Sequence, residues 1–163
     1  MLDFRPRKST LIFDPISVRQ RNQPVTDEDE DIDLGEALGA SDATSTQVLT
    51  LYIPNKDRDG NEFGSQRKWV LEAADLLARF GGGVTVMPAC EGGWLNEATG
   101  KVIWEAPVVV YTYIKPEPFL NGLPKFRLFL HRLGRETNQG EIAFEFDGSF
   151  YRITAFDAEG ATP

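Results

Sequence analysis

Between Trp69 and Trp104 the chain passes from an apolar-striped segment into Phe80-Gly81-Gly82-Gly83, then into Val84 to Met87, then into Gly92-Gly93-Trp94. Trp69, Ala73, Leu76 or Leu77, and Phe80 recur at spacings of three and four. That period predicts a helix to Arg79 with one apolar face and Ser65 as its N-cap. Gly81 stops it, and successive glycines permit the positive φ needed to turn tightly into a strand. Trp94-Leu95 and Val102 to Trp104 flank Asn96 to Gly100, a connection suited to a β-hairpin. A strand at Val48 to Ile53 precedes this block, and a strand, helix and strand follow it. The order β-α-β-β-α-β predicts an α+β, ferredoxin-like sandwich.

Downstream, Val108 to Ile114 is the candidate central strand, while Pro107 must be a bulge or face away from a neighbour. Pro116 and Pro118 are expected to break the chain. A second helix is predicted over about Leu123 to Leu133, with Leu123, Phe126, Phe129 or Leu130, and Leu133 turned inward, and Gly134 ends it. Ile142 to Phe146, Asp147-Gly148 and Phe150 to Ile153 form a strong hairpin signal, adding one C-terminal strand to the basic plan.

The formal charge of -8 over 163 residues is uneven. Residues 1 to 26 carry about +3, residues 27 to 47 about -8 and the remainder about -3 by direct count. The run Asp27-Glu28-Asp29-Glu30-Asp31 cannot bury enough apolar surface to offset its ordering entropy. Residues 1–47 therefore read as an acidic, mostly disordered tail, in which Leu11-Ile12-Phe13 and Ile16 could dock on a partner or on the sheet. Residues 48–156 read as the domain and 157–163 as a frayed C-terminus.

One cysteine, Cys90, cannot form an internal disulfide. The N-terminus lacks a signal-peptide core, and no apolar run approaches the roughly 20 residues needed to span a bilayer. A cytoplasmic, non-membrane protein is expected. The triple glycine follows a helix where a phosphate loop needs glycines between strand and helix, so that chemistry is rejected. Asp57, Asp59 and Asn61 begin like a calcium loop, but the sixth and twelfth positions are Glu62 and Lys68, so no metal is expected there. No cofactor is expected either. Cys90 reads as a small packed residue.

Among candidate functional residues, Glu105 lies between Trp104 and an Ala-Pro-Val-Val-Val run, where a desolvated carboxylate would be a general acid or base. Arg135 or the sole histidine, His131, would be its partner, although a lone histidine on a charged helix reads first as solvated. Arg135 to Gly140 is dense in hydrogen-bonding groups, making Arg135, Asn138 and Gln139, with Trp94 and Glu105, the ligand-binding candidates. Lys125, Arg127 and Arg132 on the second helix form an anion-binding candidate and carry the weak nucleic-acid reading.

The cadence of Trp69, Phe80-Gly81-Gly82-Gly83-Val84-Thr85, Gly92-Gly93-Trp94, Trp104-Glu105 and Asn138-Gln139 resembles a family of small uncharacterised bacterial proteins of ferredoxin-like type. It spans about Val48 to Phe146. The resemblance implies the fold and no activity, and it marks Trp94, Glu105 and Gln139. A four-stranded sheet with both helices on one side would leave Tyr111 and Tyr113 on an open face, and such patches are normally covered by a partner. The function expected on these grounds is a non-catalytic binding or assembly module, dimeric through that face, with a ligand cleft at the seam. A small enzyme built on Glu105 and an anion binder are the alternatives.

Overall fold

The computed structural model of the chain describes residues 33–40, 47–97 and 99–160. The chain divides into two units, Met1–Ala43 and Thr44–Pro163. In the first unit, Leu34–Leu38 is a short helix, α1. Asp33 caps it by accepting from the Glu36 N–H at 3.1 Å, and Gly39 closes it at φ 68°. Within the tail expected to be mostly disordered over residues 1–47, this short helix is the structured part described; residues 1–32 and 41–46, with the docking segment, lie outside the described residues.

The second unit is α+β. Its elements are β1 (Val48–Ile53), α2 (Gln66–Gly81), β2 (Thr85–Val86), β3 (Gly92–Asn96), β4 (Lys101–Glu105), β5 (Val108–Tyr113), α3 (Pro116–Glu136), β6 (Ile142–Phe146) and β7 (Ser149–Ile153). Five strands form one sheet in the order β2-β5-β1-β6-β7, and β3 and β4 pair separately. Every pairing is antiparallel. It follows that α2 joins the parallel strands β1 and β2, and α3 joins the parallel strands β5 and β6, each across an intervening strand.

Period-two alternation on β1 puts Leu49, Leu51 and Ile53 on the helix side, all at most 1% exposed. Their partners Thr112, Val110 and Val108 on β5, and Phe146 and Phe144 on β6, share that face. Burying each such aliphatic side chain contributes about 1.5–3 kcal/mol. Trp69, Val70, Ala73, Leu77 and Phe80 of α2 and Phe126, Phe129, Leu130 and Leu133 of α3 complete the core. Phe80 and Phe126 meet edge to face at 5.9 Å, which seats the two helices side by side on one face of the sheet.

Two glycines are fixed by close approach. A Cβ on Gly81 would fall on the Thr112 hydroxyl and the Tyr113 carbonyl, so only glycine lets α2 end against β5. Gly82 at φ 86° caps α2. A Cβ on Gly134 would overlap the Phe156 ring, so α3 accepts that ring only there.

Pro116 and Pro118 do not break the chain. They occupy the first turn of α3, where the missing N–H groups would have had no helical partner. The helix consequently starts earlier than expected; it also runs past Gly134 to Glu136, and Leu123 is exposed. At the second hairpin Asp147 and Gly148 have φ 50° and 76°, as a two-residue primed turn requires.

Candidate functional site

The side of the sheet away from the helices is not bare along its whole length. At the end where β1 finishes and β6 begins, Tyr52, Ala143 and Arg152 form the floor of a cavity of about 650 Å³. The β3–β4 hairpin supplies the opposite wall through Trp94, Leu95, Asn96 and Glu105. Its strands alternate so that Trp94, Asn96, Ile103 and Glu105 are half-buried while Leu95, Val102 and Trp104 are exposed. Pro54, Arg58 and Asp59 of the loop after β1, and Gln139, Gly140 and Glu141 of the loop before β6, close the end.

The loops are built to hold this shape. The Asp57 carboxylate accepts from the Asp59 and Asn61 N–H groups at 2.9 and 2.8 Å, which makes an Asx-type turn. These bonds, the Asn61 N–H first, favour the ionised carboxylate and lower its pKa below the ordinary carboxylate value. Among the described residues no cluster of acids, His and Cys is placed to hold a metal. Gln139 donates to the Lys56 and Thr137 carbonyls at 2.8 and 3.1 Å, and the Arg58 N–H donates to the Asn138 carbonyl at 3.1 Å, so the two loops are stitched together. Asn138 itself stands behind the wall, its amide on Asp59 at 3.3 Å.

Glu105 is raised above the ordinary glutamate value, chiefly because burial disfavours its charged form, with Lys56 acting in the opposite direction. Across the floor, the Tyr52 hydroxyl donates to Glu145 at 2.7 Å. Burial first, and that carboxylate second, push the Tyr52 hydroxyl up to about 12, so it stays a donor. A desolvated carboxylate, a phenol fixed as donor and an indole in one cavity can bind a flat ligand and accept or give a proton beside it.

Trp94, Glu105 and Gln139, singled out in the sequence, thus line one cavity. Other candidates do not join them. Arg135 donates to the Asp157 carbonyl and does not meet Glu105. Arg127 is gripped by the Asp157 carboxylate through two bonds of 2.9 Å, and Arg132 by Glu72. Two of the three cations of the expected anion face are thereby neutralised by acids of the same unit, leaving only the exposed Lys125 without that constraint as an argument for it. Cys90 is exposed, with its thiol 3.5 Å from the Pro107 carbonyl, and is not packed as expected. Tyr52 and Lys56 were missed: a strand tyrosine and a loop lysine carry no local signal.

His131 is neither solvated nor near Glu105. It is buried, and its Nδ1 accepts from the Asp157 N–H at 2.8 Å, so Asp157 is anchored where a frayed end was expected. Burial, with Arg127 and Arg135 nearby, lowers its proton affinity below the usual 6.5 against the pull of the Asp157 carboxylate. The unfolded chain then binds the proton more readily, so stability from neutral His131 is complete above pH 6.5 and is lost as pH falls through the lower folded value. Urea unfolding from pH 8 to pH 5 should show a steeper loss for the natural protein than for His131→Gln. Parallel slopes would remove His131 as the cause.

No family model matches the chain, and no curated protein matches it. Solved structures do. One is a phage SAM lyase in complex with S-methyl-5'-thioadenosine, at 14% identity over 69% of this chain and 92% of that one, with a TM-score of 0.51. A phage SAM lyase in the apo state gives the same identity and coverage with a TM-score of 0.46. At such identity the likeness is one of fold. Among the described residues no helix is long and apolar enough to cross a membrane. The expected non-catalytic module is corrected by these findings: a solved structure that shares the fold, at a TM-score of 0.51, is that of an enzyme, and the hairpin turns one end of the expected docking face into a cavity.

Proposed function

We propose that this chain is a small-molecule enzyme whose site is the cavity beneath the β3–β4 hairpin, and that its substrate is an adenosyl sulfonium of the SAM type. The observation that carries the reading is the desolvated Glu105 beside Trp94 and Tyr52 in a cavity of about 650 Å³. That volume is in the range of small-molecule sites, roughly 300–1,000 Å³. Asp59, Glu97, Glu105 and Glu141 face only Arg58 and Arg152 there, and Arg152 lies 3.7 Å from Glu141. The excess of acid attracts a cation, and the indole of Trp94 can stack on a purine or a positive centre. The name and ligand of the phage enzyme support this choice of ligand. The strand order and the two crossovers support reading the sheet as a ferredoxin-like core, with β3–β4 inserted before its third strand and β7 added at the edge.

For a sulfonium the chemistry balances simply. One carbon–sulfur bond breaks, the sulfur keeps the bonding pair and leaves as a neutral thioether, and the other carbon fragment gives up a proton as its double bond forms. Glu105 takes that proton, and burial makes it a stronger base than an exposed glutamate. The thioether product no longer feels the acids that attracted the cation, which favours its release.

Titration with SAM and with S-methyl-5'-thioadenosine should give a saturable tryptophan fluorescence change that Trp94→Phe abolishes. Chromatography of the SAM mixture should show S-methyl-5'-thioadenosine accumulating. A protein that neither binds these compounds nor releases that thioether would overturn the reading.

A further inference from the structure

Glu105 is held by two consecutive residues of the loop after β1. The Asn55 carboxamide oxygen accepts from the Ala106 N–H at 2.7 Å, and the Lys56 Nζ donates to the Trp104 carbonyl at 2.8 Å. The peptide on each side of Glu105 is thus fixed to the same short segment. Lys56 is fixed in its turn, because its backbone bridges to Glu62 and its carbonyl accepts from Gln139 at 2.8 Å. We infer that Lys56 is a positioning residue of this site, a tethered cation that fixes the peptide on the N-terminal side of Glu105, and that Gln139 keeps Lys56 in place. The inference rests on the reading of Glu105 as the proton-handling group.

The charged groups that line the cavity do not substitute for it. Glu141 is 3.7 Å from Arg152, which draws that cation toward β6. Asp59 accompanies Arg58 on the loop, and Glu97 at the hairpin tip adds negative charge. Lys56 is the cation that favours ionised Glu105 against the cost of its burial. An unopposed glutamate there would stay protonated to higher pH and would be idle as a base. With Lys56 in place its ionisation comes at a lower pH, while the desolvated carboxylate keeps part of its extra basicity.

The test reads Glu105 directly. With carboxyl-carbon labelling of glutamate, and Glu105→Gln to assign the signal, NMR titration of the full chain without substrate gives the Glu105 midpoint. In Lys56→Met the midpoint should move to higher pH, in Lys56→Arg it should return to the natural value, and in Gln139→Ala it should move in the same direction as Lys56→Met by a smaller amount. An unmoved midpoint in Lys56→Met overturns the role of Lys56, and an unmoved one in Gln139→Ala overturns that of Gln139. Because no sulfonium is present, a protein that fails to cleave SAM leaves this result standing, and a shifted midpoint without turnover would locate the failure in the choice of substrate.

Discussion

Replacing Glu105 by glutamine should lower turnover of an adenosyl sulfonium by about 100-fold or more, the usual scale for losing a positioned general base. The amide has the same shape and cannot accept the substrate proton. Binding should survive, because Trp94, Tyr52 and the remaining acids still line the cavity. The pH dependence separates a chemical role from a structural one. Glu105 ionises above the ordinary glutamate value of 4.5, so the natural rate should fall as pH drops through that raised value. Stability has the opposite sign. A carboxyl whose folded proton affinity is raised favours folding below its unfolded value, and that contribution is lost as pH rises through the folded one. At neutral pH the glutamine variant should therefore unfold at the same urea concentration as the natural protein or a higher one. Wild-type turnover in Glu105→Gln would exclude Glu105 from the chemistry.

The parts of the fold that declare themselves locally were legible in the sequence. Alternation over Val48 to Ile53, the three-four spacing of Trp69, Ala73 and Phe80, and Asp147-Gly148 between two apolar runs all fix short-range geometry, and the elements stand where those patterns put them. The start of α3 was not, because Pro116 and Pro118 are harmless in a first turn, and the helix then runs on through Pro124. His131 was misread for a long-range reason. Gly134 admits the ring of Phe156, the chain then folds back over α3, and the Asp157 N–H reaches the imidazole. Half of the candidate site was visible as well. Trp94, Glu105 and Gln139 stand out as unusual residues in a hairpin and a loop. Tyr52 and Lys56 do not, because their importance arises only when β1 pairs with β6 and places Tyr52 against Glu145, and when Gln139 reaches the Lys56 carbonyl. The sheet face was expected to be open along its whole length; the hairpin, read as a connection, walls off one end of it, while Tyr113 at the other end is exposed.

Trp69→Ala should destabilise the protein by about 3–5 kcal/mol, the usual cost of emptying a large aromatic site in a core. Trp69 is the largest of the fully buried side chains. Its ring meets Phe129 edge to face at 6.0 Å across the α2–α3 seam, and the Arg132 guanidinium lies 5.1 Å from its centroid, held there by Glu72 of α2. Truncation would leave a void between two helices that are both tied to the sheet, so the walls cannot collapse far to fill it. Since domains of this size have about 5–15 kcal/mol in total, the variant should unfold at a much lower urea concentration with an unchanged slope. Trp104→Ala is the matched control. That indole is 64% exposed on the outer face of the hairpin, and its loss should fall within about 0.5 kcal/mol. Equal midpoints for the two variants would mean that the helix pair is not the centre of the core. A large loss for Trp69→Ala with a normal Trp104→Ala would show that stability resides in the sheet and helices, leaving the hairpin free to serve as the wall of a site.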